Sequence, residues 1–109
     1  MRYKLYQLND LGLSKYGFMK YEFALNHNFQ LSDYDLVWEG DIEANDEDMD
    51  FVLEDLFMMF NTTRTEGYKG RSLSVSDIVE MNGIKYYCNP FGWEKVNDKI
   101  RIWTSISPL

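Results

Sequence analysis

Ile78-Val79-Glu80-Met81-Asn82-Gly83-Ile84-Lys85-Tyr86-Tyr87-Cys88 is the stretch that decides the fold class. Two short runs rich in β-branched and aromatic residues flank Asn82-Gly83, and an Asn-Gly pair supplies the two left-handed residues a tight hairpin turn needs. The stretch predicts a β-hairpin, entered from Val75. Asn89-Pro90 ends its second strand, because proline has no N–H to give to a ladder. Phe91-Gly92-Trp93 then makes a bend expected to return Trp93 to the core.

Toward the N-terminus the period of the apolar residues changes. Met49, Val52, Leu53, Leu56 and Phe60 recur at three- and four-residue spacing, which predicts a helix from Asp48 or Met49 to Phe60. Asn45 or Asp46 is expected to cap it, with Glu47, Asp48 and Asp50 near the positive end of its dipole. Residues placed 100° apart put the core stripe on one side and Asp46, Asp50 and Glu54 on the other. Phe51 and Met58 fall beside these acids, so two apolar side chains are expected in solvent.

Residues 3–8 alternate Tyr3, Leu5 and Gln7 against Lys4, Tyr6 and Leu8, a strand covered on both faces. Residues 34–39, closed by Gly40, form another strand by residue type. Residues 16–25 admit either helix or strand, and we read them as helix, stopped by Asn26-His27-Asn28. Residues 41–48 and 62–70 are polar loops, and Ile100-Arg101-Ile102-Trp103 is a final edge strand. The 109 residues, 45% of them hydrophobic, suffice for one core. The expected architecture is one α+β domain over residues 1–109, an antiparallel sheet packed against one or two helices.

The formal charge of −7 has the wrong sign for a surface that grips phosphates, so direct nucleic-acid binding is not expected. Its distribution is sharper than its sum. Residues 1–30 carry four basic and two acidic groups, residues 31–60 eleven acidic and no basic, and residues 61–109 seven basic and five acidic. Like charges crowded together repel unless a partner or solvent relieves them. The block over residues 33–55 reads either as a solvated helix face with its preceding loop or as a surface kept for a basic partner.

No stretch reaches the roughly 18 apolar residues of a membrane span, and the N-terminus lacks a signal-peptide core, so a cytosolic protein away from membranes is expected. Cys88 is the only cysteine and His27 the only histidine. A buried structural thiol is the reading for Cys88, and neither residue builds a metal site or a catalytic triad. No catalytic residue, metal or cofactor is expected. Arg71-Ser72-Leu73-Ser74-Val75-Ser76-Asp77 gathers hydroxyls, a cation and a carboxylate. It reads as a turn whose side chains satisfy backbone groups, or as an anion cradle of Arg71, Ser74, Ser76 and Asp77 without phosphate-loop spacing. The aromatic set of Tyr34, Trp38, Tyr68, Tyr86, Tyr87, Phe91, Trp93 and Trp103 is divided between core packing and an interface role.

In order along the chain stand a Tyr-x-Leu strand, the strand Tyr34-Asp35-Leu36-Val37-Trp38-Glu39-Gly40 and a helix ending Phe60-Asn61. Gly70-Arg71-Ser72-Leu73-Ser74-Val75-Ser76-Asp77-Ile78-Val79 follows, then Tyr86-Tyr87-Cys88-Asn89-Pro90-Phe91-Gly92-Trp93. Over about residues 3–97 this order resembles the YodL-like domain. The resemblance implies a small α+β domain of bacterial mobile elements, plasmids and phages without an established catalytic centre. Ser76 stands where that family often has glycine, which implies a slightly different turn here.

The expected function is that of a non-enzymatic interaction protein of a phage or mobile element. It would inhibit a host defence or nucleic-acid enzyme by occupying a basic surface, with carboxylates standing in for phosphates. Asp41, Glu43, Asp46, Glu47, Asp50, Glu54 and Asp55 would supply the charge, and Phe51 and Met58 the apolar anchors. One helix spaces carboxylates roughly 6 Å apart, coarser than duplex phosphates, so mimicry needs Asp33, Asp35 and Glu39 as well. The alternative is a small-molecule or anion-binding domain built on the residue 71–77 turn.

Overall fold

A computed structural model describes residues 1–43, 48–62 and 67–96. Among the described residues the strands are β1 (Arg2–Leu8), β2 (Tyr34–Asp41), β3 (Ile78–Met81), β4 (Ile84–Cys88) and β5 (Trp93–Lys95). They form one antiparallel sheet in the order β2-β1-β3-β4-β5. The helices are α1 (Asp10–Tyr16), α2 (Tyr21–Leu25) and α3 (Met49–Thr62), with a 3-10 turn at Leu31–Asp33.

The expected hairpin joins β3 to β4. Asn82 at φ 53° and Gly83 at φ 77° are both left-handed, and Ile78 pairs with Tyr87 across the ladder. Strand alternation then sorts side chains to two cores. Tyr3, Leu5, Val79, Met81, Tyr86 and Cys88 turn to one face, where Val52, Leu53, Leu56 and Phe60 of α3 cover them. Leu8, Ile78 and Tyr87 turn to the other, beneath Tyr16, Tyr21 and Ala24 of α1 and α2. On β2 the register steps from Trp38 opposite Leu5 to Leu36 opposite Tyr6, so Val37 is an extra residue in a bulge. The bulge lets Val37 and Trp38 join the α3 core while Tyr34 joins the opposite one.

The α3 helix starts and runs as its periodicity predicts and continues to Thr62. Its cap is Asp48, whose Oδ1 accepts from Asp50 N at 3.0 Å. The expected caps Asn45 and Asp46 lie outside the described residues, as does the expected strand at 100–103. The helix expected over 16–25 is a correction. Gly17 ends α1, Phe18 is left-handed at φ 63°, and α2 begins only at Tyr21. The break is stabilised from far along the chain: Phe18 N donates to Ser76 Oγ at 3.1 Å and Tyr21 N to Asn89 Oδ1 at 2.8 Å. Phe18, Met19 and Leu25, apolar residues behind the helical reading, are exposed.

Helix α1 has a local signal. Asn9 Oδ1 accepts from Gly12 N at 2.9 Å, with Asp10 in the first turn and Lys15 in the last. Gly12 packs so tightly on the sheet that an added Cβ would lie 2.6 Å from Leu8 Cδ2 and 2.9 Å from Asp33 O. Trp93 opens a fifth strand that residue type did not suggest, and packs half-buried against the α3 core.

Leu56 is fully buried and Met58, two residues on, is 61% exposed. Leu56→Ala is expected to destabilise by about 2–5 kcal/mol and Met58→Ala by no more than about 0.5 kcal/mol, as read by urea denaturation.

Candidate functional site

With its apolar stripe turned to the sheet, α3 presents Asp50, Phe51, Glu54, Asp55 and Met58 to solvent. Phe51 is 72% exposed. Seven residues separate it from Met58, roughly 10 Å along the helix axis, and Glu54 and Asp55 lie between them. Burying a side chain of either size is worth about 1.5–3 kcal/mol, so two such groups on one stripe leave apolar surface unused by the fold. Glu54 is tethered, since Trp93 Nε1 donates to its Oε2 at 3.2 Å.

The other acids of the block do not join this face. Glu39 and Asp41 alternate onto the sheet face opposite α3, where Arg2 bonds both at 3.1 Å. Asp33 is buried, with Lys15 Nζ at 2.7 Å and the Tyr16 hydroxyl at 2.8 Å. Glu43 is exposed beyond the end of β2, and Asp46 and Glu47 lie outside the described residues. The block that is continuous in sequence is therefore divided in space. Asp33, Glu39 and Asp41, which a phosphate-like array requires, are ion-paired within the chain, the last two sharing Arg2.

The residue 71–77 segment builds a buried polar clamp. Gln7, 2% exposed, accepts from Arg71 N through Oε1 at 3.1 Å and donates from Nε2 to Arg71 O and to Asp77 Oδ2, each at 3.0 Å. The same Asp77 oxygen accepts from Ser74 N at 2.9 Å. Ser76 O accepts from the Tyr34 hydroxyl at 2.7 Å, and the Arg71 guanidinium reaches Leu8 O at 3.3 Å from the exposed side. Asp77 and Ser76 are buried while Arg71 is exposed, so the four residues of the anion reading do not converge on one open site. Asp77 and Ser74 satisfy backbone groups of the turn, while Ser76 and Arg71 bond the backbone of Phe18 and Leu8.

Burial pushes the Asp77 carboxyl up to about 7, overcoming the Gln7 and Ser74 N–H groups that favour its ionised form. Burial likewise pushes the Cys88 thiol up to about 12, which leaves it without nucleophilic thiolate at neutral pH. His27 is exposed and stacked on Phe23. Among the described residues no group of three or more His, Cys, Asp or Glu side chains could hold a metal ion. No described helix is long and apolar enough to cross a membrane.

A family model of the YodL-like domain matches residues 2–98, spanning every strand and helix just described. The chain belongs to the YodL-like domain family. No curated protein and no solved structure matches it. Ser76 in the clamp is left-handed at φ 84°. The turn thus keeps the conformation that suits glycine, and the serine adds its bond to Phe18 N.

Two outcomes follow for this YodL-like domain. The raised carboxyl of Asp77 makes the native state bind a proton that the unfolded state has released. The stability that this carboxyl contributes is then fully present below the unfolded value of 3.8 and is lost as pH rises to about 7. Relative to Asp77→Asn, the wild type should lose up to about 1.4 kcal/mol per pH unit across that window and change little above it, measured by denaturant titration. Ser76→Ala and Ser76→Gly both lose the hydroxyl, but alanine keeps the left-handed penalty, so it should be the less stable of the two by about 1 kcal/mol.

Proposed function

We propose that this YodL-like domain is a non-enzymatic docking module that binds a protein partner through the solvent face of α3. The observation that carries the reading is the pair of exposed apolar side chains, Phe51 and Met58, set among Asp50, Glu54 and Asp55 on one helix face. Apolar anchors surrounded by charge are the anatomy of an interface core and rim. The rim is acidic, so the matching surface is basic, and enzymes that handle nucleic acids expose such surfaces. With the mobile-element context that the family resemblance implies, the proposal extends to an inhibitor of a host nucleic-acid-handling or defence enzyme. Within it, α3 acts as a charged and apolar docking helix, and phosphate mimicry by the whole acidic block is left aside.

The test is quantitative capture from a bacterial lysate at low and high salt. Proteins retained by the wild type should fall by about tenfold or more with Phe51→Ser/Met58→Ser and with Asp50→Lys/Glu54→Lys. Leu36→Ser, a change at an exposed apolar residue of β2, should leave capture intact. Unaltered capture by the α3 variants, with their melting temperatures unchanged, overturns the proposal.

A further inference from the structure

Asn89 sets the geometry of the turn after β4. Its N–H donates to Gly92 O at 3.0 Å, its Oδ1 accepts from Tyr21 N at 2.8 Å, and its Nδ2 donates to Glu94 Oε1 at 3.0 Å. Pro90 adds a fixed backbone dihedral. The turn is thereby held from α2 on one side and from β5 on the other. At its tip stands Phe91, 96% exposed and outside both cores. A phenyl ring displayed on a locked turn loses little freedom on binding, and aromatic anchors of this kind dominate binding energy at interfaces.

Between this turn and α3 lies a cleft of about 150 Å³ lined by Glu54, Phe57, Val75, Cys88, Pro90 and Trp93. Phe57, Val75, Pro90 and Trp93 give it an apolar side, and Glu54 and Asn89 a polar one. Glu54 is the charged residue of its wall, with Asp50 and Asp55 close by on α3. On the far side of the turn a wider opening is lined by Glu22 and Glu94 together with Lys20, whose Nζ is already 3.7 Å from Glu22. Lys95 lies farther along β5, opposite Tyr86. Carboxylates therefore stand on both sides of the turn, Glu54 in the cleft and Glu22 and Glu94 with Phe91 in the far opening, and outnumber the cations near it.

We infer that the cleft between α3 and the residue 89–92 turn seats a polypeptide segment of the partner. The segment places one aliphatic side chain between Trp93 and Phe57 and then crosses the turn over Phe91, so that its Lys or Arg side chains lie beside Glu54 on the α3 side and Glu94 on the far side. This rests on the docking role proposed for α3 and names the chemistry of what docks. Charge complementarity selects the occupant: a second copy of this chain would bring a further −7 to an acidic rim.

The experiment is a selection of displayed random peptides on the intact domain, followed by fluorescence anisotropy of the enriched sequences. An aliphatic residue flanked by Lys or Arg should be enriched. Affinity should drop about tenfold with Phe91→Ser and again with Glu54→Lys, and should weaken in about 0.5 M salt. Phe91 is fully exposed, so its replacement should leave the melting temperature unchanged. Failure to enrich any peptide class, enrichment without cations, or equal binding to Phe91→Ser overturns the inference. A dimer in sedimentation that Phe91→Ser dissolves also overturns it, because the occupant is then a second copy. If Phe51→Ser/Met58→Ser abolishes lysate capture while Phe91→Ser leaves it intact, the docking role of α3 stands and this inference alone falls. Phe91-dependent peptides found alongside unaltered capture by Phe51→Ser/Met58→Ser support the cleft and reject the outer stripe.

Discussion

The pairing of β1 with β2 on one side and β3 on the other is the constraint on which the rest of the molecule depends. The first strand of the chain lies inside the sheet, so it must hydrogen-bond along both edges and bury side chains on both faces. Tyr3 and Leu5 serve the α3 core, Leu8 serves the α1 and α2 core, and Gln7 serves neither. A fully buried amide at that position requires polar partners, and the residue 71–77 segment supplies them. The same strand thus fixes where the chain must return after α3 and how it enters the hairpin. Local pairing of β3 with β4 is fast to form, whereas β1 must wait for partner residues 26 to 78 positions away.

The two faces of the sheet divide the charge of the chain. Strand alternation sends Glu39 and Asp41 away from α3 and toward Arg2, and the fold of α1 brings Lys15 to Asp33. The positive N-terminal third therefore neutralises part of the acidic middle third, an exchange invisible when charge is summed by segment. The exposed ion pairs contribute little to stability, but they decide which carboxylates stay free for a partner. Those on α3 keep no Lys or Arg partner among the described residues. They sit beside the apolar pair Phe51 and Met58 and, through Glu54 and Trp93, next to the rigid turn of Phe91.

The clamp around Asp77 shows how a motif can be specific without being a site. Its hydroxyls, amide and carboxylate are consumed by one another and by nearby backbone groups, and burial raises the carboxyl toward neutrality. The cluster that looks most like chemistry in the sequence thus holds the fold together, while the chemically plain Asn-Pro-Phe-Gly turn carries exposed surface.

Periodicity and turn chemistry determined a good deal by themselves. The Asn82-Gly83 hairpin, α3 with its exposed Phe51 and Met58, and the segments that become β1 and β2 follow from patterns within a few residues, so they and the α+β class are legible there. The sequence signal for α1 is present too, in Asn9 and Asp10 ahead of Gly12, but the apolar residues after it also suit a helix over 16–25. Only tertiary structure decided that Phe18 breaks that helix, because the groups receiving the freed N–H donors, Ser76 and Asn89, lie 58 and 68 residues away. It alone decided which acids remain free, because ion pairing depends on which sheet face a side chain occupies. It alone brought Pro90, Trp93 and α3 to one cleft, because the distance between a turn and a helix is set by the core they both pack against.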